Sequence, residues 1–268
     1  MSQIAFIGAG NMAEAIARGV ISAGLFHATD LIAADPSSER LALFQQLGIF
    51  TSASNVEAAS AAKIVMLCTK PQMMGGAVTS LKAVLQTSQL IVSIAAGLST
   101  GFIARELSEA RAWRIVRVMP NTPMLYGTGA TAICKGQHAS DDDLARVRGI
   151  FQSASKVIEV EEPLMDAVTA VSGSGPAYFF YLVENMIAAA VELGLSPEQA
   201  KALVVQTATG AAKMLSASTD SAAELRAKVT SPGGTTQAAL EVFHKAELGT
   251  IVQRAIAAAE QRGRELGR

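Results

Sequence analysis

The residues of this chain best suited to chemistry lie in two glycine-bearing stretches, one near each end. In IAFIGAGNMAEAIARG, Gly8 and Gly10 follow an apolar run, and Ala13 holds the third small position before an amphipathic pattern. The first glycine permits a tight strand-to-helix turn, the second lets a pyrophosphate approach the backbone, and a small third residue lets helix and strand pack closely. Unpaired N–H groups at the helix start would then face phosphate oxygens. That chemistry is dinucleotide binding; a merely tight turn is the plainer alternative. In VTSPGGTTQAALEVF, the apolar positions Ala239, Leu240, Val242 and Phe243 mark one helix face, and the Gly-Gly-Thr-Thr run lies at its positive end. Consecutive N–H groups clear of side chains, with the hydroxyls of Ser231, Thr235 and Thr236, form a nest sized for a carboxylate. A plain cap would need one hydroxyl and no glycine pair.

Three further segments belong with the first stretch. Asp35 ends the second apolar run, where an acid accepts hydrogen bonds from an adenosine ribose and favours NAD. Ser37, Ser38 and Arg40 follow at once, and hydroxyls with a guanidinium would instead hold a 2′-phosphate; Ser37 as a helix cap beside a solvated Arg40 is the structural alternative. In CTKP, Pro71 stiffens the turn after a later strand and Lys70 is within reach of phosphate or ribose, or is simply solvated. Asn55 opens a short helix before that strand, as its cap or as an adenosine contact.

These residues need a frame. Seven runs up to about Val160 read as strands (QIAFIGAG, DLIAAD, KIVMLCT, QLIVSIAAG, RIVRVMP, ATAICK and KVIEVE), with helices expected near 11–23, 37–47, 72–85, 99–109 and 140–153. Near-continuous apolar strands alternating with helices predict a mainly parallel sheet covered on both faces, a doubly wound α/β domain of the Rossmann type. After EEPLMDAV the strand-like runs stop and the chain reads as helix to Arg268, which puts the boundary at Pro163: residues 1–162 bind the dinucleotide and 163–268 form an all-α domain. Gly173, Gly175 and Pro176 in GSGP read as a helix break and restart, although Ser174 is also placed to approach a substrate. Between Pro163 and Gly210 the only charges are Asp166, Glu184, Glu192, Glu198 and Lys201. Helices with so little polar face predict an extensive homodimer interface, with docking onto the first domain as the alternative.

Composition bounds the rest. The 268 residues, half of them apolar, carry a net charge of −1 and no basic block, which excludes a nucleic-acid backbone or an anionic membrane surface as partner. Glu14 and Arg18 interrupt any export signal, and Glu184 and Asn185 sit in the middle of the most apolar helical stretch, so no membrane span is expected. Cys68 and Cys134 read as reduced core residues of a cytoplasmic protein. His27, His138 and His244 are isolated, so no metal is expected. With no nucleophile elbow or Walker loop, the chemistry falls to the cofactor as hydride transfer.

RVMPNTP (117–123), AVSGSGPAY (170–178) and ELRAKVTSPGGTTQAALEVF (224–243) together resemble the pyrroline-5-carboxylate reductase family, and the resemblance runs over nearly the whole chain. It implies a Rossmann-type domain followed by a helical dimerisation domain, with dimers assembling into decamers in several members. The implied reaction is reduction of L-1-pyrroline-5-carboxylate to L-proline with NADPH, and Asp35 keeps NADH in play. Carried over by motif, Gly8, Gly10, Asn11 and Met12 line the cofactor phosphates; Asn55, Lys70 and Pro71 flank ribose or nicotinamide; Met119, Asn121 and Pro123 lie near the nicotinamide. Ser231, Gly233, Gly234, Thr235 and Thr236 bind the substrate carboxylate and ring nitrogen, with Thr236 the catalytic hydroxyl. This chain has TDSAAELR where many relatives place a proline before the last motif. Rival readings are a hydroxyacid dehydrogenase or another imine reductase on the same frame, and a non-catalytic dinucleotide sensor. Lys201, Lys213, Lys228 and Lys245 show no motif for the base that a hydroxyacid oxidation needs.

Overall fold

In a computed structural model, which describes residues 2–267, the described residues form eight strands in one sheet. The strands are β1 (Ser2–Ile7), β2 (Leu31–Ala34), β3 (Phe50–Ser52), β4 (Ala62–Leu67), β5 (Leu90–Ser93), β6 (Arg114–Met119), β7 (Gly129–Lys135) and β8 (Ser155–Glu159), in spatial order β3-β2-β1-β4-β5-β6-β7-β8. The helices that cover the sheet are α1 (Asn11–Ser22), α2 (Ser38–Gln46), α3 (Asn55–Ser60), α4 (Pro71–Leu81), α5 (Thr100–Leu107) and α6 (Asp141–Gln152). Every strand pair is parallel except β6 with β7, which a single 3-10 turn (Thr122–Tyr126) connects. The doubly wound, mainly parallel sheet is therefore present.

Alternation along the strands sends side chains to two cores. Phe6 and Met66 pack on one face with Ile16 of α1, Phe44 of α2 and Phe151 of α6. Ile7 and Leu67 pack on the other with Val78 and Leu81 of α4 and Ile103 of α5. Each such side chain, fully buried, contributes roughly 1.5–3 kcal/mol. β3 was not expected from the sequence: it has three residues at the sheet edge, and Phe50 is exposed. The helix expected over 72–85 ends at Leu81.

Further helices are α7 (Met165–Val168), α8 (Gly175–Glu192), α9 (Pro197–Ala217), α10 (Ala222–Lys228), α11 (Thr235–Lys245) and α12 (Leu248–Leu266). At GSGP the regular helix is interrupted and restarts. Thr169–Gly173 forms a π turn, the Ser174 N–H reaches the Thr169 carbonyl at 2.8 Å, Ser174 is a bend with helical dihedrals, and α8 begins at Gly175. The π turn makes the interruption a local bulge and not a loop.

The chain divides into two compact units. One comprises the residues to Pro176 together with those from Ala258 on, and the other is Ala177–Ala257. In the first, Arg117 is buried on β6 and pairs with Asp166 at 3.2 Å and Glu162 at 3.8 Å. The second is entirely helical and exposes many apolar side chains, among them Phe179 at 70%, Phe180 at 67%, Tyr181 at 68% and Leu193 at 87%. Among the described residues no helix is long and apolar enough to cross a membrane.

Candidate active site

Three small residues build the turn after β1, each for a different reason. Gly8 has φ +99°, and a Cβ there would lie 3.0 Å from the Cys68 carbonyl carbon and 3.1 Å from the Thr69 nitrogen, both immovable backbone. Gly10 meets nothing within 4 Å, so the space beside it is open. Ala13 is wholly buried against the sheet, which a larger side chain would not allow. Gly10 caps α1 with φ −71° and ψ 178°, and no side chain hydrogen-bonds the helix start. Asn11 is exposed and Met12 half-buried against the core.

Six helix starts are closed by a serine. Ser37, Ser54, Ser99, Ser140, Ser196 and Ser221 each accept the N–H three residues on. Among the described residues, α1, α4 and α11, which start after Gly10, Lys70 and Gly234, have no such side-chain cap, and neither has the four-residue α7, which continues a 3-10 turn. First-turn N–H groups have no intrahelical acceptor, so the starts of α1, α4 and α11 keep their donors for something else. All three are starts at which the sequence suggested a ligand. Gly10 and Lys70 follow β1 and β4, neighbouring strands at the point where the strand order reverses, the usual ligand crevice of such sheets. An open backbone beside Gly10, with uncapped donors behind it, fits a dinucleotide pyrophosphate.

The loop after β2 is tied to this turn. Asp35 accepts hydrogen bonds from the Ala9 N–H at 2.8 Å and the Ser37 N–H at 2.9 Å. Arg40 donates from Nε to the Ala9 carbonyl at 2.6 Å and pairs with Glu14 at 2.9 Å. Arg40 is thus neither freely solvated nor fully spent. Ser37 caps α2, whereas at α3 the cap is Ser54 and Asn55 takes the first helical position, which removes the capping role considered for Asn55. Lys70 is exposed, and Pro71 occupies the first turn of α4. In the sequence Glu14 counted only as a charge against an export signal; its one signal for this site was a carboxylate in the first turn of the glycine-loop helix. Burial pushes the Glu14 carboxyl up, but the hydrogen bonds and charges of Arg18 and Arg40 outweigh this and hold it below the usual carboxylate range.

Met119 ends β6 and Asn121 and Pro123 follow it, with β5 between that strand and β4. Asn121 is buried and braces its surroundings: its amide nitrogen donates to the Ser172 carbonyl at 3.0 Å, and its Oδ1 accepts the Ala130 N–H at 2.8 Å. A Cβ on Gly173 would meet Met119 Cε, the end of a flexible side chain, which would have to swing aside. Pro123 is the second residue of the 3-10 turn. Among the described residues no group of three or more His, Cys, Asp or Glu could hold a metal, and Cys68 and Cys134 are free thiols. Desolvation pushes both thiols up, Cys134 to about 12.

The second glycine stretch lies in the helical unit. Gly233 has φ +71° and Gly234 caps α11 with φ −82° and ψ 171°. The Gly234 N–H bonds to the Ser231 carbonyl at 3.0 Å, and Gln237 Oε1 accepts the Gly233 N–H at 2.8 Å. Thr235, Thr236 and Gln237 follow with no side-chain cap on their helix, Thr235 exposed and Thr236 half-buried. Gln237 was also missed, since only the folded turn brings its side chain back to Gly233.

The glycine cradle and the doubly wound sheet place the chain in the class of Rossmann-type nicotinamide-dinucleotide oxidoreductases. Residues 162–266 match the family model described as pyrroline-5-carboxylate reductase dimerisation, and residues 3–97 that described as NADP oxidoreductase coenzyme F420-dependent. A pyrroline-5-carboxylate reductase of Pseudomonas aeruginosa is 41% identical over 98% of this chain and 96% of its own. Two solved structures are similar throughout. A pyrroline-5-carboxylate reductase from Coxiella burnetii has a TM-score of 0.91 and 37% identity, covering 100% of this chain and 99% of its own. A Plasmodium falciparum pyrroline carboxylate reductase with NADP bound has a TM-score of 0.90 and 33% identity, covering 100% and 98%. The chain belongs to the pyrroline-5-carboxylate reductase family.

Proposed function

We propose that the protein reduces L-1-pyrroline-5-carboxylate to L-proline with NADPH, the last step of proline biosynthesis. The observation that carries this reading is the near-full-length match to reductases of that name, in a chain whose two glycine-started helices both lack a side-chain cap.

A bound reduced nicotinamide supplies the hydride. The residues of the chain bind and orient. Gly8, Gly10, Asn11 and Met12 receive the pyrophosphate at the start of α1, where a Cβ on Gly10 would fill the space left open. Asp35, Ser37 and Arg40 face the adenosine ribose and its 2′ substituent, and Asn55, Lys70, Pro71, Met119, Asn121 and Pro123 frame the rest of the cofactor. Ser231, Gly233, Gly234 and Thr235 hold the substrate carboxylate at the positive end of α11. Thr236 takes a hydrogen bond from the ring nitrogen. The substrate arrives as a protonated iminium; its carbon accepts the hydride, the C=N π pair passes to the already protonated nitrogen, and that nitrogen becomes the amine of proline, so no strongly shifted acid is needed. Orientation and electrostatic fit supply the rate.

The functional division proposed is residues 1–162 for the cofactor and 163–268 for substrate and self-association. The apolar side chains exposed on α8 and α9 support a homodimer formed through the helical domain, with a decamer as the higher assembly. The free thiols support a cytoplasmic location. Steady-state oxidation of NADPH, and separately of NADH, with L-1-pyrroline-5-carboxylate tests the reaction. Turnover is expected with both cofactors present in excess, faster with NADPH. Cofactor binding without turnover would return the choice to other imines or to hydroxyacids.

A further inference from the structure

Beside the loop after β2, α1 and α2 bring two guanidinium groups together with two carboxylates, and the four are not arranged as a simple phosphate site. Glu14 pairs with both Arg40 and Arg18 at 2.9 Å. Asp35 spends an acceptor on the Ala9 N–H, and Arg40 spends its Nε on the Ala9 carbonyl. Both polar backbone atoms of Ala9, the residue between the two cradle glycines, are therefore held by side chains of the second βα loop. The formal charges of Glu14, Asp35, Arg18 and Arg40 sum to zero, and Glu39 adds an exposed negative charge on the first turn of α2.

A guanidinium has five N–H donors. Nε is committed to Ala9 and one donor of an NH2 group to Glu14, so the Arg40 fork keeps donors to spare, on a side chain that is 24% exposed. Its position is set by the same contacts that stiffen the cradle. Its charge, however, is already met by Glu14.

We propose that Glu14 is a specificity-determining residue. By pairing with Arg40 it fixes the guanidinium beside the cradle and lowers the attraction of that guanidinium for a 2′-phosphate, so that Glu14 sets how strongly the protein prefers NADPH over NADH. The proposal rests on the cofactor reading above and deepens it. A phosphate monoester dianion entering a locally neutral set of charges gains little net Coulomb energy, whereas the same set without the Glu14 charge is positive by one. A nucleotide without the 2′-phosphate senses almost none of this difference.

The test is calorimetric binding of 2′,5′-ADP and of 5′-AMP to the full chain and to Glu14→Gln, in which the amide oxygen can still accept from Arg40. The variant is expected to bind 2′,5′-ADP about three- to tenfold more tightly and 5′-AMP unchanged, with the gain shrinking as salt is raised. In an Arg40→Gln background the same Glu14→Gln change should have a much smaller effect, because only the direct repulsion between Glu14 and the phosphate is then relieved. Equal tightening of both nucleotides, no tightening of 2′,5′-ADP, or a gain that survives undiminished in the Arg40→Gln background would overturn the proposal. If neither nucleotide bound the unaltered protein, the cofactor reading itself would fall, and the specificity role with it.

Discussion

Helices α1 and α11 start on nearly the same backbone and live in opposite surroundings. Gly10 and Gly234 cap them with φ −71° and ψ 178° in one and φ −82° and ψ 171° in the other. A left-handed glycine precedes each, Gly8 at φ +99° and Gly233 at φ +71°. At α1 the turn is wedged against the backbone of the β4 end and clamped by Asp35 and Arg40, and five residues of the helix are buried. At α11 no residue is buried in the single chain, and the turn is braced by its own Ser231 and Gln237. Glycine dictates the shape of an anion-receiving start, while rigidity has to come from whatever packs around it. A pyrophosphate cradle set in the sheet is preorganised by the core. The α11 turn relies on a short local loop and on whatever surface covers that helix.

This contrast makes unequal predictions for equal substitutions. Gly8→Ala should be the most damaging, because a Cβ there strikes backbone at 3.0–3.1 Å and demands an unfavourable dihedral. A loss of roughly 3 kcal/mol in urea unfolding is expected, with nucleotide affinity lost as well. Parent-like stability would mean that the α1 turn is no more rigid than its counterpart. Thr236→Ala should lower kcat/KM for the imine about ten- to a thousandfold while 2′,5′-ADP affinity stays put. Unchanged kinetics would deny α11 a role in the chemistry.

Gly10→Ala separates ligand space from fold space. Nothing lies within 4 Å of its Cβ position, so thermal unfolding should shift little, yet NADPH should bind about tenfold more weakly as measured by fluorescence titration. Gly233→Ala should also cost the fold little, far less than Gly8→Ala. Its Cβ also meets nothing within 4 Å, leaving only the left-handed dihedral to cost about 1 kcal/mol. A loss as large as that of Gly8→Ala would show that α11 is packed far more tightly in solution than in the isolated chain.

Much of this architecture was legible because its signals are short-range. Apolar alternation in DLIAAD or KIVMLCT marks a strand wherever it occurs, and a glycine pair before a helix pattern marks an uncapped start. The serine before each capped helix is also readable in principle, although Asn55 was weighed as a cap where Ser54 serves. The break and restart at GSGP was legible, but the π turn at 169–173 that forms it was not, because glycine and proline signal backbone freedom, not the hydrogen bond the backbone then chooses. β3 escaped notice since three edge residues carry no periodicity.

The sequence by itself determined the order of strands and helices, the two glycine turns and the change from α/β to all-helical pattern, all of which follow from backbone preference and side-chain periodicity within a few residues. Only the tertiary structure decided that β7 runs against β6, that Gly8 must clear the backbone of Cys68, that buried Arg117 meets Asp166, and that Arg40 is shared between Ala9 and Glu14. Those partners lie far apart along the chain, and hydrogen bonds and ion pairs act over a few ångströms of space whatever the distance in sequence.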